Sequence, residues 1–277
     1  PIVTKPTIAF IGTGNMARAI LEGLLSDGYP AGSIWATRRQ ANLLADLADQ
    51  GVNTTSDNAA AVAAADIVMI SVKPQMMRET LEALAPAIQA RKPLLVSVAA
   101  GIDADALERW AGGDLAVIRS MPNTPSLLKR GACGLFANAR VSAEQRQSAN
   151  TIMGAVGITI WCDSEAGIDQ IIAVSGSGPA YFFLMMEKMI EAGISLGMDA
   201  DAARELTLQT ALGAAEMAKQ TGVEPAELRR RVTSPGGTTE QAILSFERDN
   251  LGETVERAMT ACRDRAVEMT DMLCKEQ

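Results

Sequence analysis

A short apolar run, Thr7-Ile8-Ala9-Phe10-Ile11, leads directly into Gly12-Thr13-Gly14-Asn15-Met16-Ala17 and then into a helical pattern. Few local sequences narrow the choice of fold as much. A strand, a glycine-rich turn and a helix, in that order, open a doubly wound sheet and place a pyrophosphate at the turn. Gly12 permits the tight turn, Gly14 removes the Cβ that would block the phosphates, and Ala17 lets helix and strand pack closely. The helix N-terminus adds N–H donors and the positive end of its dipole. The whole segment Gly12–Ala17 is therefore a candidate cofactor turn.

The next 150 residues repeat the same alternation. Apolar, β-branched runs predict strands at 7–11, 33–37, 66–72, 93–99 and 115–121, with helices at 15–26, 40–50, 58–64, 75–88 and 103–110 between them. Nearly continuous apolar strands suit a parallel sheet covered on both faces. Two more short strands, 133–137 and 158–161, flank a helix beginning near Ser142 and extend the sheet to about residue 163. After Asp163 no strand pattern remains. Long stretches rich in Ala, Leu, Met and Glu predict helices, broken at 176–179, near 197–199, at 222–225 and at 234–237. The expected plan is an α/β, doubly wound, mainly parallel sheet over residues 1–163 and an all-α domain over 164–277. A chain of 277 residues has room for two such cores.

The second strand refines the cofactor. An Asp or Glu at its end would bind the ribose 2′-hydroxyl of NAD(H). This chain has Trp35-Ala36-Thr37-Arg38-Arg39 there instead. A hydroxyl and two guanidiniums suit a 2′-phosphate, because Arg binds it bidentately and with full charge. NADP(H) is the expected cofactor, with NAD(H) weaker. Asn58, in Ser56-Asp57-Asn58, reads equally well as an adenosine contact or as part of an ordinary helix start. Predicted strands end at Ser71-Val72-Lys73-Pro74, Val98-Ala99-Ala100-Gly101 and Met121-Pro122-Asn123-Thr124-Pro125. They fall on the carboxyl edge of the sheet, where ligands of such folds bind.

Composition removes several alternatives. The net charge of −8 argues against a general affinity for nucleic acid. No run approaches the length needed to span a bilayer. The four cysteines are scattered without a CxxC pair, so no metal site or disulfide framework is expected and a reducing cytoplasm is the simpler setting. The chain contains no histidine, which excludes Ser-His-Asp and Cys-His catalysis. Proton transfer must use a hydroxyl, a carboxylate, a lysine or water.

Two segments of the helical half are too rich in Gly and Pro for helix interior: Ala173-Val174-Ser175-Gly176-Ser177-Gly178-Pro179-Ala180-Tyr181 and Val232-Thr233-Ser234-Pro235-Gly236-Gly237-Thr238-Thr239-Glu240. The second leads into a helix, and such a loop exposes backbone N–H groups suited to a carboxylate. An ordinary helix–helix turn with Thr238 or Thr239 as N-cap is the plainer reading. Together with Phe10–Ala17, Ser71–Gln75 and Arg119–Pro125, these segments resemble the pyrroline-5-carboxylate reductase family, the stretch Ser234–Thr239 most specifically.

The resemblance implies a Rossmann domain, a helical domain that intertwines with that of a second subunit, and assembly as a homodimer or a ring of dimers. It implies reduction of the cyclic imine 1-pyrroline-5-carboxylate to L-proline. By the family pattern Thr239 carries the hydroxyl near the imine nitrogen. Ser234, Gly237, Thr238 and Thr239 surround the substrate carboxylate, and Glu165 matches a further substrate-site position. An acid in the first turn of a helix explains Glu165 equally well. An imine needs mainly orientation and one proton donor, which a histidine-free chain can supply. Arg229-Arg230-Arg231 either leans toward cofactor phosphates or caps a helix. A β-hydroxyacid dehydrogenase would place a catalytic Lys on the first long C-terminal helix, yet no Lys precedes Lys188 there. A non-catalytic NADP(H)-binding protein would leave Ser234–Thr239 without a purpose.

Overall fold

A computed structural model describes residues 5–275. The glycine turn sits at the middle of an eight-stranded sheet made of β1 (Ile8–Ile11), β2 (Ile34–Thr37), β3 (Asn53–Thr55), β4 (Ile67–Ile70), β5 (Leu94–Ser97), β6 (Val117–Met121), β7 (Gly131–Ala137) and β8 (Gly157–Cys162). Their order is β3-β2-β1-β4-β5-β6-β7-β8. Neighbours are parallel except β6 and β7. Every residue of β1, β4 and β5 is buried, as their unbroken apolar runs require.

Helices cover both faces. α1 (Asn15–Ser26) and α6 (Ala143–Gly154) lie on one side, where Ile20, Leu21, Leu24, Ile152 and Met153 join Phe10 and Met69 in one core. On the other side are α3 (Asn58–Ala64), α4 (Pro74–Arg91) and α5 (Ala104–Trp110). There Val62, Met77, Leu81 and Leu107 pack on Ile11, Val68 and Leu95. The alternation of strand residues between these two cores is the period-two geometry of a pleated strand. The helix expected at 40–50 is a 3₁₀ turn, Ala41–Leu44, continued by the short α2 (Ala45–Asp49), which buries Leu44 and Leu47.

The helical half contains α7 (Glu165–Ile171), α8 (Gly178–Ser195), α9 (Ala200–Thr221), α10 (Pro225–Arg231), α11 (Thr238–Arg248) and α12 (Leu251–Cys274). Left-handed glycines end two of the expected segments, Gly197 at φ 104° and Gly222 at φ 66°. The break expected at 176–179 is instead a π-helical turn, Ile172–Gly176, closed by Ser177 N–H donating to Ile172 O at 2.8 Å. Such turns recur at functional sites.

The compact units differ from a division at residue 163. One runs to Ser177 and also takes in the chain from Cys262 onward; the other is Gly178–Ala261. The reason is packing. Ile171 of α7 fills the space over β7 so closely that a Cβ on Gly134 would lie 2.4 Å from it. Leu273 and Cys274, at the end of α12, pack on the core beside α5. The second unit has a different character. Gly178, Ala203 and Thr207 are its only buried residues, while Phe182 and Phe183 remain 67% and 62% exposed. That much apolar surface on one unit marks an interaction face.

Candidate active site

Gly12 adopts φ +78°, and a Cβ there would lie 2.7 Å from Val72 Cγ1, so the turn tolerates no side chain. Its N–H donates to Thr37 Oγ1 at 3.2 Å, and Thr13 N–H donates to Thr37 O at 2.9 Å. Thr37 is fully buried. Its hydroxyl therefore holds the glycine turn in place, a task beyond the phosphate contact expected of it. Gly14 is the N-cap of α1, with no side-chain cap, and a Cβ added to it would meet nothing within 4 Å. The first intrahelical bond runs from Arg18 N–H to Gly14 O, leaving the N–H groups of Asn15, Met16 and Ala17 for an anion. Ala17 is 1% exposed, in keeping with a packing role.

A cavity of about 570 Å³ opens beside this turn. It gathers Gly12, Thr13 and Gly14 with Thr37, Arg38 and Arg39, then Asn58, Val72 and Lys73. Arg38 and Arg39 are exposed and form no ion pair among the described residues, so both guanidiniums are free for a phosphate. Asp57 caps α3 by accepting from Ala60 N–H at 3.2 Å, which leaves Asn58 at the cavity wall. Asn15, Met16, Ala17, Pro74, Ala99, Ala100 and Gly101 are not part of the lining. Ser56, Ser71, Met76 and Thr80 are, and Met76 and Thr80 carried no functional expectation. The open space at Gly14, the unpaired arginines and a buried, unpartnered Ser71 hydroxyl all suit a phosphorylated dinucleotide.

Glu165 is engaged inside the first unit. Its Oε1 accepts from Ala104 N–H at 2.7 Å, the first residue of α5, and its Oε2 accepts from Arg119 Nη1 at 2.7 Å. Arg119 lies on β6 and is almost wholly buried, with Nη2 unpartnered. Asp169, one turn beyond Glu165 on α7, faces the same guanidinium. Burial raises its carboxyl above the ordinary range, Arg119 opposes that rise, and Glu165 adds to it. The loop before α5 is fastened a second time: Cys274 Sγ accepts from Asp103 N–H and contacts Gly101 O, both at 3.5 Å. The π-helical turn is fastened too. Asn123 Nδ2 donates to Ser175 O at 3.0 Å while its Oδ1 accepts from Ala132 N–H at 2.9 Å.

In the second unit, Ser234–Gly237 forms a tight turn, with Gly237 N–H donating to Ser234 O at 3.0 Å and Gly236 at φ +73°. Gly237, not a threonine, is the N-cap of α11, and no side chain caps that end. Thr238 and Thr239 are thus the first two residues of the helix. Gly236 N–H is taken by Glu240 Oε1 at 3.2 Å, whereas the N–H groups of Thr238, Thr239 and Glu240 find no acceptor among the described residues. The arrangement leaves three backbone N–H donors together at a helix start, the positive end of its dipole. Arg230 and Arg231 both pair with Glu227 on α10, which accounts for them as surface charge.

Comparison with known proteins agrees with both halves. Residues 165–269 match the family model for pyrroline-5-carboxylate reductase dimerisation, and residues 7–101 match that for NADP oxidoreductase, coenzyme F420-dependent. A pyrroline-5-carboxylate reductase of Pseudomonas aeruginosa is 52% identical over 98% of this chain and 99% of its own length. Among solved structures, a pyrroline-5-carboxylate reductase from Coxiella burnetii superposes with a TM-score of 0.93 at 45% identity, covering 96% of this chain and 99% of that one. A Plasmodium falciparum pyrroline carboxylate reductase with NADP bound gives 0.83 at 27% identity, covering 96% and 98%.

Proposed function

From the premise that this chain belongs to the pyrroline-5-carboxylate reductase family, we propose how its two units carry out the reduction of 1-pyrroline-5-carboxylate to L-proline. The observation that carries the reading is the cavity that brings Arg38 and Arg39 beside the Gly12 turn. Bound NADPH supplies the hydride that adds to the imine carbon. The turn Gly12–Ala17 receives the pyrophosphate, and Arg38 and Arg39 take the 2′-phosphate, with NAD(H) a weaker cofactor for want of that group. Val72, Lys73, Asn58 and the loop Ala99-Ala100-Gly101 orient the rest.

On the substrate side, the N–H groups at the start of α11, with Ser234, Gly237 and Thr238, hold the carboxylate. The Thr239 hydroxyl hydrogen-bonds the nitrogen and, with water, delivers the proton that completes the secondary amine. Glu165 positions Arg119 and the start of α5, accepting one hydrogen bond at each oxygen, and keeps acceptor capacity for the substrate side. The helical unit self-associates, and its exposed phenylalanines and leucines supply the apolar surface for a homodimer or a ring of dimers. No helix of the described residues is long and apolar enough to cross a membrane, and four free cysteines suit a reducing cytoplasm.

A β-hydroxyacid dehydrogenase is not favoured: the first lysine of α8, Lys188, is exposed and paired with Glu191 at 3.1 Å. Relatives named as reductases over nearly the whole chain also disfavour a non-catalytic binding protein. Oxidation of NADPH on addition of 1-pyrroline-5-carboxylate, with L-proline as product, is the deciding assay; tight NADPH binding without turnover defeats the reading.

The arginine pair has its own test. Arg38→Ala combined with Arg39→Ala is expected to raise KM for NADPH by about 10- to 100-fold and to leave KM for NADH within about twofold. Equal losses with both cofactors would reduce the pair to surface charge.

A further inference from the structure

Between β5 and α5 the chain turns at the carboxyl edge of the sheet, with Gly101 at φ +79°. The N–H groups of Ala100 and Gly101 donate to nothing among the described residues. A loop with so little bonding of its own takes its shape from what packs on it. What packs on it is the far end of the chain. A Cβ on Gly101 would lie 2.8 Å from Leu273 Cδ1, so the leucine sits directly against the glycine. Cys274 Sγ accepts from Asp103 N–H and donates to Gly101 O, both at 3.5 Å. Arg109 Nη2, on α5, donates to Cys274 O at 3.2 Å and fixes the helix end from the other side. Leu273 and Cys274 are half-buried between exposed Met272 and exposed Lys275, so the end of α12 turns this pair inward. Burial pushes the Cys274 thiol up, which keeps it protonated and able to donate and accept at once.

We propose that Leu273 and Cys274, at the end of α12, are positioning residues: they clasp the loop Ala99-Ala100-Gly101 in the shape that receives the nicotinamide half of NADP(H). The inference rests on the NADP(H) reading above. Both residues act through the loop and not on the ligand. Topology assigns the half. β5 lies two strands from β1, on the side away from β2, and Arg38 and Arg39 follow the end of β2. A dinucleotide whose pyrophosphate crosses the β1 turn places its two halves on opposite sides of that strand. With the 2′-phosphate half on the arginine side, the loop after β5 meets the other half. A clasped loop is ordered before the ligand arrives. A released one must be ordered on binding, and affinity falls by that entropy.

The test uses direct binding to the full chain. Dissociation constants for NADPH and for 2′,5′-ADP, which carries only the adenosine half, are measured on the wild type, Leu273→Ala, Leu273→Met and Cys274→Ala. Leu273→Ala is expected to raise the NADPH Kd roughly five- to thirtyfold, the cost of ordering about one residue of backbone, and to leave the 2′,5′-ADP Kd within about twofold. Leu273→Met still fills the space over Gly101 and should return the NADPH Kd to within about threefold of wild type. A merely structural role would lower Tm without separating the two ligands. An unchanged NADPH Kd in Leu273→Ala, whatever its Tm, therefore overturns the proposal, and so does equal weakening of both ligands. If Leu273→Ala fails to fold, Cys274→Ala decides by the same comparison, with an expected NADPH-specific rise of about threefold for two weak hydrogen bonds. Failure of the wild-type protein to bind NADPH at all is a different outcome: it removes the cofactor reading itself.

Discussion

Thr239→Ala lowers kcat/KM for 1-pyrroline-5-carboxylate by roughly 10- to 1,000-fold, while NADPH affinity stays unchanged; this is the expected result for the substrate loop. The geometry makes the test unusually clean. Had Thr239 been the N-cap of α11, its loss would cost about 1 kcal/mol of helix stability and blur any kinetic effect. Gly237 occupies that position instead, and no side chain caps the helix. The Thr239 hydroxyl has no hydrogen bond among the described residues, so its removal leaves their bonding intact. Thr239→Ser retains the hydroxyl and should recover most of the rate. If the alanine variant works at near wild-type rates, proton delivery to nitrogen belongs to water alone. If alanine and serine are equally poor, the methyl group's packing matters and the hydroxyl does not.

Much of this fold could be read before any coordinates, and the exceptions have physical causes. The helices at 15–26 and 58–64 match α1 and α3 residue for residue, because a glycine turn and an Asp57 cap mark their starts. The strand β3 was missed. Asn53-Thr54-Thr55 is three residues of polar side chains at the sheet edge, with no apolar alternation to detect. The glycines at 176–179 were read as a break, yet the chain just before them underwinds into a π-helical turn anchored by Asn123. Only the distant partner at position 123 betrays that choice.

Site residues divide along similar lines. Local motifs pointed to Gly12–Gly14 and Arg38-Arg39, which do share one cavity, since each motif exposes its own backbone or charge. Thr37 was read only as a cofactor contact; that its hydroxyl also accepts from Gly12 N–H could not be read from residue type, which does not say which way a strand-end hydroxyl points. Ser71 was legible only as part of a strand end on the ligand edge; that its hydroxyl is buried without a partner is visible only in the structure. The Glu165–Arg119 bond joins residues 46 apart in sequence, and no spacing rule reaches that far.

That bond carries the second large expected effect. Glu165→Ala should destabilise the protein by about 2–3 kcal/mol and lower Tm by roughly 5–10 °C. Arg119 is 2% exposed, so deleting its partner strands a guanidinium that cannot regain water. The Glu165 carboxylate is itself 36% exposed, which keeps the loss below that for a fully buried pair. Asp169 softens it further. Glu165 is one of the charges that raise its carboxyl, so without Glu165 that carboxyl moves down and takes over part of the pairing. Glu165→Gln should fall between the two, keeping an acceptor for Ala104 N–H while losing the charge. A charge-free replacement isolates the cause. Arg119→Met with Glu165→Leu should cost less than Glu165→Ala alone, because two apolar side chains leave no buried charge behind. A Tm for Glu165→Ala within about 1 °C of wild type would show that water or Asp169 satisfies Arg119 without it. A double variant worse than the single one would place the damage in lost packing around β6 and α5 and not in an unpaired charge.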